Sequence, residues 1–391
     1  MWAVREKKPV SGETFIFLTI LLVFFIYIGS VMGVSHMFST LMNTAYALLL
    51  DVVFFIMAVS VLTGALAALL TEFGVLALLN RLISPLMRPL YGLPGAASLG
   101  IVTTYISDNP AILSLTRNKG FLRYFKPYQI PALCNLGTAF GMGLILMTYM
   151  IGQGGGAALR PVFIGFLGAF SGSIVSVRLM LRCTAKACGV TREERRADLS
   201  IKAAAADEPR NIQYKGAERV LNAVLEGGKA GVSLGFDMVP GVLVICTLVM
   251  ILTYGPGTGP SGTAAYTGAA YEGIALLPRL GKLLSPITSL LFGFRDPEDI
   301  AFPITSLGAT GAAMALVPGM LKSGTAGMNE IAVFTAMGMC WSGYLSTHVS
   351  MMDALGERRF IKSAILSHTI GGLAAGVFAH YLFLLFSAIA A

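Results

Sequence analysis

Charge is scarce in this sequence. Only 12% of its 391 residues are Asp, Glu, Lys or Arg, while 55% are hydrophobic. A water-soluble chain of this length needs charge over its surface to stay solvated, so a soluble globular class is excluded. Cysteine is thin as well. The five thiols, Cys134, Cys183, Cys188, Cys246 and Cys340, are odd in number and include no CxxC pair. That removes a disulfide framework and a zinc site, and leaves Cys183 and Cys188 as a reduced, cytoplasm-facing pair. Alternating strands of about ten residues are missing, which excludes a transmembrane β-barrel. So are the marks of a phosphate-binding loop (GxxxxGK[ST]), a zinc protease (HExxH) and a serine hydrolase (GxSxG). ATP-driven work and intramembrane catalysis lose their usual signatures, and the sequence calls for no cofactor and no metal site.

What it does hold is apolar length. Mean hydropathy is +0.75. Runs near 14–34, 45–70, 128–151, 160–182, 233–254, 328–350 and 362–388 approach or exceed the roughly 20 residues that cross about 30 Å of hydrocarbon. The expected class is all-α: a polytopic membrane protein of about seven transmembrane helices. The first run follows Arg5, Lys7 and Lys8, but it is long for a signal peptide and lacks a clear A-x-A site, so it reads as a retained helix.

Two further segments are apolar but broken. Residues 93–115 carry Pro94, Gly95, Gly100, Ser107-Asp108-Asn109 and Pro110, and residues 300–322 carry Pro303, Thr305-Ser306, Gly308, Gly311 and Pro318. At membrane depth the freed backbone groups need protein or water partners, so both segments read as re-entrant hairpins lining a cavity. The charges test this. With the N-terminus in the cytoplasm and both hairpins returning to their side of entry, 23 of the 28 Lys and Arg residues are cytoplasmic. Only Arg160, Arg279, Lys282, Arg295 and Lys322 stay on the other side. This bias orients a multi-pass protein of the plasma (cytoplasmic) membrane with its N-terminus inside. It also explains the net charge of +8 without a nucleic-acid partner.

The two halves repeat one another. Asp51 has a counterpart in Asp237, and LeuLeu-Asn80-Arg81-Leu in LeuLeu-Pro278-Arg279-Leu. Ser84-Pro85 with Tyr91-Gly92 matches Ser285-Pro286 with Phe292-Gly293, and Thr103-Thr104 faces Thr305-Ser306. Three crossings per copy is an odd number, so the second copy is inverted. The organisation expected is an N-terminal helix (1–40), a first repeat (41–182), a cytoplasmic linker (183–220) and a second, inverted repeat (221–391). The linker is solvated or touches anionic head groups, and the Gly/Ser/Thr-rich stretch 255–268 reads as a flexible connector. Inverted repeats mark secondary transporters, with the substrate site near the midplane where broken segments meet.

The stretch Leu79–Gly95, LNRLISPLMRPLYGLPG, resembles the nucleoside-recognition or "Gate" domain family, and a similar pattern opens the second half at Leu221–Leu252. The resemblance covers about residues 45–385 as two Gate-like units. Related units occur in concentrative nucleoside transporters, in the membrane part of ferrous-iron transporter B and in paired spore-maturation proteins. It implies a transport-type membrane fold with hairpins at its centre. The second copy departs from it, with Phe294-Arg295-Asp296-Pro297 where the first has LeuProGly, and the chain lacks the GTPase domain of the iron transporter.

Ser107-Asp108-Asn109-Pro110 is the leading substrate-binding candidate, because an ionisable residue in a membrane segment faces a cavity, an ion or a partner. The alternative is that Asp108 caps the half-helix that follows. Thr305, Ser306 and Thr310 are its counterparts, unless their hydroxyls bond back to the helix. Asn135, on the helix after the first hairpin, offers donors and acceptors to a ligand or to a neighbouring helix. Trp341, Ser342 and His348 follow the second hairpin, with His348 expected at the interface. Asp51 and Asp237 are candidates for ion coupling or for interfacial water, and Arg295-Asp296 with Glu298-Asp299 for a charged, ion-paired hairpin entrance. The leading function is secondary transport of a small polar solute, nucleoside-like or another metabolite, coupled to a cation (Na+ or H+). A membrane scaffold or assembly factor and a divalent-metal permease are the alternatives. The lipid bilayer is a partner, and a homo-oligomer is compatible with the sequence.

Overall fold

The computed structural model describes residues 10–106, 119–191, 193–194, 215–258 and 263–390. The motif Ser107-Asp108-Asn109-Pro110 lies outside the described residues. Helix α1 (Gly12–Met32) ends at Gly33, whose φ of +82° turns the chain directly into α2 (Val34–Ala47). Glycine is what such a positive φ requires. A π-helical turn, Leu48–Val53, joins α2 to α3 (Phe54–Glu72). An amphipathic helix α4 (Val75–Ile83) runs on through tighter and wider turns to Gly92, and the first hairpin opens with α5 (Ala97–Ile106). Helices α6 (Ala132–Thr138) and α7 (Gly143–Gly154) form one broken helix, followed by the long α8 (Leu159–Ala187).

The second half repeats this order. Helix α9 (Gly216–Pro240) passes through a π-helical turn, Gly241–Cys246, into α10 (Thr247–Thr253). Then come the amphipathic α11 (Leu276–Phe292) and the hairpin helices α12 (Ala301–Gly308), α13 (Thr310–Met314) and α14 (Val317–Ser323). A second broken helix, α15 (Met328–Cys340) with α16 (Tyr344–Ala354), precedes the long α17 (Ile361–Ala390). Among the described residues the only strands are β1 (Gly257–Thr258) and β2 (Ala264–Ala265), paired in the connection between α10 and α11.

The protein is a multi-pass, all-α membrane protein. Five stretches are long and apolar enough to cross a bilayer: Gly12–Met32, Val34–Glu72, Ala132–Ala187, Gly216–Thr253 and Arg358–Ile389. Their outer faces expose Phe15, Phe17, Leu62, Phe236 and Ile389, which only lipid or another protein can cover. The runs expected at 128–151 and 328–350 are helical but each is broken once, at Ala139–Met142 and at Trp341–Gly343.

The internal repeat is legible in backbone detail. Gly92 and Gly293 both close their amphipathic helices in the left-handed region, and Met142 and Gly343 both restart the broken helices there. Each pair is 201 positions apart. The inversion is equally direct. Gly64 lies against Gly227, Ser60 against Gly231 and Met57 against Gly235, so α3 and α9 run antiparallel. Gly168 meets Ala375 and Ala379, and Gly172 meets Gly371 and Ala375, so α8 and α17 do the same. In both seams small residues let two backbones touch, which is how helices associate where no hydrophobic driving force acts between them.

The far end of the connection expected to be flexible is tied down at residues 267–268. Buried Glu272 accepts hydrogen bonds from Thr267 N (3.0 Å), Thr267 Oγ1 (2.6 Å) and Gly268 N (3.0 Å), and Thr40 Oγ1 of α2 lies at 3.5 Å. Asn43 Nδ2 donates to the Gly268 carbonyl at 2.7 Å. Burial alone would raise the Glu272 carboxyl, but the bonds from Thr267, Gly268 and Ala269 outweigh it and hold it below its usual range. A depressed folded-state value stabilises the fold above the ordinary glutamate range, and that stability is lost as pH falls through the folded-state value. Glu272→Gln is therefore expected to cost about 1–3 kcal/mol at neutral pH. In thermal melts of the detergent-solubilised protein, the gap to wild type should close on acidification; a gap independent of pH would refute the charge argument.

Candidate functional site

The second hairpin begins at the 3-10 turn Pro297–Ile300, which Asp296 caps by accepting the Glu298 N–H at 2.9 Å. The chain descends through α12, leaves helical geometry at Ala309 and returns through α13 and α14. Both ends of the hairpin lie beside Tyr254. The Glu298 carboxylate acts on it electrostatically, and a Cβ at Gly319 would stand 2.7 Å from its hydroxyl. The segment thus enters and leaves on one side, as a re-entrant element must.

Its candidate residues divide into three kinds. Thr305 Oγ1 donates to the Ala301 carbonyl at 2.7 Å, the back-bond anticipated as the alternative to a binding role. Thr310 Oγ1 donates to the Gly338 carbonyl at 2.9 Å and so docks the hairpin tip on α15, one turn before the helix breaks. Ser306 Oγ is buried and has no hydrogen-bond partner among the described residues. At the break itself Trp341 and Ser342 are buried.

Asn135 sits at the centre of a separate buried network. Its Nδ2 donates to Ser176 Oγ at 2.9 Å, Ser367 Oγ at 2.8 Å and the Ala364 carbonyl at 3.2 Å. Ser176 Oγ lies 2.8 Å from His368 Nδ1, and His368 Nε2 lies 2.6 Å from the Cys340 carbonyl. A carbonyl can only accept, so Nε2 carries the proton and Nδ1 accepts from Ser176. The chain of bonds runs from the helix that breaks at Ala139–Met142 to the helix that breaks at Trp341–Gly343. Trp341 Nε1 adds a bond to the His368 carbonyl at 3.2 Å.

His348 is not interfacial as expected. It is fully buried, with its ring centroid 4.7 Å from that of His368. Its Nδ1 is bonded to the Tyr344 carbonyl, so Nε2 is left as a bare acceptor. Asn135 Oδ1 is a second buried acceptor without a partner.

Asp51 and Asp237 lie outside this interior; both are exposed. Asp51 falls within the π-helical turn of 48–53 and acts electrostatically on Tyr271. Asp237 stands one turn before Gly241, on the same helix face. A Cβ at Gly241 would come within 3.5 Å of Ala309, the hairpin's turning point. The entrance acids Asp296 and Asp299 have no lysine or arginine ion-pair partner among the described residues, so the ion pairing expected around Arg295 is absent there.

Ser176, Ser367, His368 and Tyr344 were not singled out by the sequence. Ser and Tyr give no signal in an apolar helix, but His368 did: it is one of four histidines, and it lies within a run that is otherwise apolar.

No family model matches the sequence, and no curated protein matches it. Solved structures do. Their likeness shows the fold, that of a polytopic membrane protein. They are structures of the concentrative nucleoside transporter CNTnw. A single-residue variant of it, in the intermediate 2 state, superposes with a TM-score of 0.53 at 16% identity, over 94% of this chain and 85% of that one. An inward-facing, substrate-bound state gives 0.51 at 18% identity, over 83% and 75%. At such identity the likeness establishes the fold.

Proposed function

We propose that the protein is a secondary transporter of a small polar solute, nucleoside-like in chemistry, built from units at 41–182 and 221–391. The reading places it in the plasma membrane with the N-terminus cytoplasmic. One observation carries it. Three buried polar atoms, Ser306 Oγ, Asn135 Oδ1 and His348 Nε2, have no partner among the described residues, and all lie on or beside the hairpin and the two broken helices. A buried polar group left unpaired costs about 1–3 kcal/mol, so three of them on or beside the interrupted helices fit a site that a solute's hydroxyl and amino groups complete. On the sequence register Ser107–Pro110 corresponds to residues 308–311, and the proposal extends to these four residues on that ground alone. Asp237, on the wall beside that tip, and Asp51 are the ion-coupling candidates.

Uptake into proteoliposomes tests this, with a panel of nucleosides, other small polar metabolites and divalent metals under Na+ or H+ gradients. Uptake of at least one nucleoside-like solute is expected, and Asp108→Ala should lower it about tenfold or more, as for a residue whose contact is worth over 1.4 kcal/mol. If no solute moves and Asp108→Ala leaves cellular phenotypes intact, the scaffold role replaces transport. Movement of metals alone would assign the permease.

A further inference from the structure

The two halves differ in charge at one matched pair of buried positions. In the first half these are Ser98 and Gln129; 201 positions later they are Asp299 and Glu330, and all four are buried. Their local roles correspond. Gln129 Oε1 accepts the Lys126 N–H at 3.0 Å where its broken helix begins, and Glu330 Oε2 accepts the Gly327 N–H at 2.9 Å in the same turn of the other copy. Ser98 Oγ donates to the Gly95 carbonyl at 2.7 Å, and Asp299 Oδ2 accepts the Asp296 N–H at 3.2 Å across the equivalent turn. Neutral side chains serve the fold in one half. The fold alone therefore does not require the carboxylates in the other.

Among the described residues no lysine or arginine forms an ion pair with Asp299 or Glu330. Asp299 is fully buried, and its Oδ1 has no hydrogen-bond partner among the described residues. Glu330 is 1% exposed and its charge acts on Asp299 and on His380. The turn itself contributes two further acids, Asp296 and Glu298, with Tyr254 beside the latter. Helix α15 contributes Asn329, whose Nδ2 lies 3.4 Å from Glu330 Oε1. Helix α17 contributes His380, whose Nδ1 lies 2.8 Å from Asn329 Oδ1. Helix α11 packs on the turn through Gly281 and carries Arg279 and Lys282, while Arg295 flanks the turn; none of these pairs with either carboxylate among the described residues. Phe294, Phe302 and Phe334 wall the cluster, with Phe302 and Phe334 stacked at 4.3 Å.

A second negative charge in such a setting is costly, because each charge is desolvated and the two repel. A proton on one carboxyl turns an acceptor into a donor and relieves both costs. We propose that Asp299 and Glu330 are a proton-binding site at the root of the second hairpin, holding one proton between them, with the buried His380 beside it. The inference that this proton couples to solute movement rests on the transporter reading; the binding of the proton does not.

Infrared difference spectroscopy of the purified full chain across a pH series tests the binding without any solute. The comparison is with Asp299→Ser/Glu330→Gln, which copies the first half and keeps its neutral pattern. Wild type is expected to show a protonated-carboxyl band at neutral pH that titrates away only on alkalinisation, and the double variant to lack it. Equal spectra at neutral pH, or a wild-type band confined to the ordinary acidic carboxylate range, would overturn the proposal. So would a response of the carboxylate bands to Na+ at neutral pH with no protonated band, which would make the site a metal-cation site. Should the double variant fail to fold, Glu330→Gln alone is read: relief of the like charge should move the Asp299 band to lower pH, and an unmoved band refutes the shared proton. In proteoliposomes, the double variant should retain solute equilibration but lose accumulation driven by an inward proton gradient. If wild type moves no solute, the transporter reading fails while the infrared result still decides the site.

Discussion

Replacing His368 with phenylalanine is expected to destabilise the protein by about 3 kcal/mol and to cut uptake at least about tenfold, the equivalent of 1.4 kcal/mol in the transport barrier. The imidazole both donates and accepts. It gives a hydrogen to the Cys340 carbonyl and takes one from Ser176. Phenylalanine fills the same volume but strands a buried hydroxyl and a buried carbonyl, each paying the desolvation cost of an unmade bond. The Cys340 carbonyl immediately precedes the break at Trp341–Gly343, so its loss loosens the geometry of the interrupted helix itself. His368→Gln, which keeps one donor and one acceptor, should recover part of both effects. Thermal melts and uptake measured on the same preparations check this. A phenylalanine variant within about 0.5 kcal/mol of wild type, the range of inconsequential substitutions, would show the network to be incidental.

Gly231→Leu is expected to be worse for folding. A Cβ at this position would overlap the Ser60 carbonyl and the Cα of Val61 on α3, and both are backbone atoms that no rotamer change can move aside. The leucine therefore pushes α9 off α3 along the whole Gly227–Gly231–Gly235 stripe, costing about 3 kcal/mol or more from overpacking and lost contact. The expected result is a protein that aggregates or is recovered in low yield from detergent. Gly228→Leu is the control: its Cβ would meet only Val61 Cγ1 at 3.7 Å, and near-normal yield is expected. Equal behaviour of the two variants would remove the seam from the account.

Much of this architecture was readable in the linear sequence because the bilayer imposes a simple rule. Long apolar runs are helices, and Gly- and Pro-broken runs need shelter, so both the spanning elements and the second hairpin were visible. The matched Ser-Pro and aromatic-Gly signatures pointed to corresponding helix ends, and the structure has Gly92 and Gly293 closing them in the same left-handed conformation. The site was less legible. Thr305 could be given two roles from its spacing, but only the fold shows its hydroxyl committed to Ala301. Asn135 was found, but its partners Ser176 and Ser367, and His368 reached through Ser176, come from helices more than 40 residues away and have no spacing that links them. Glu330 was hidden because an acid at the start of a helix looks like ordinary capping, and only its neutral counterpart, Gln129, reveals the difference.

The wide turns at Leu48–Val53 and Gly241–Cys246 lie against one another. A π turn amounts to one extra residue in a helix, and it re-phases everything after it by about 100°, one residue's share of a 3.6-residue turn. Helix α9 shows its glycine stripe to α3, and at the end of the turn Cys246 Sγ reaches the Ala312 carbonyl of the hairpin at 2.7 Å. One chain thus grips α3 with one part and a hairpin with the next, like a shaft with two keyways cut at different angles. Deleting a single residue from 241–246 would realign the keyways, leaving the α3 seam intact while swinging Cys246 away from the hairpin.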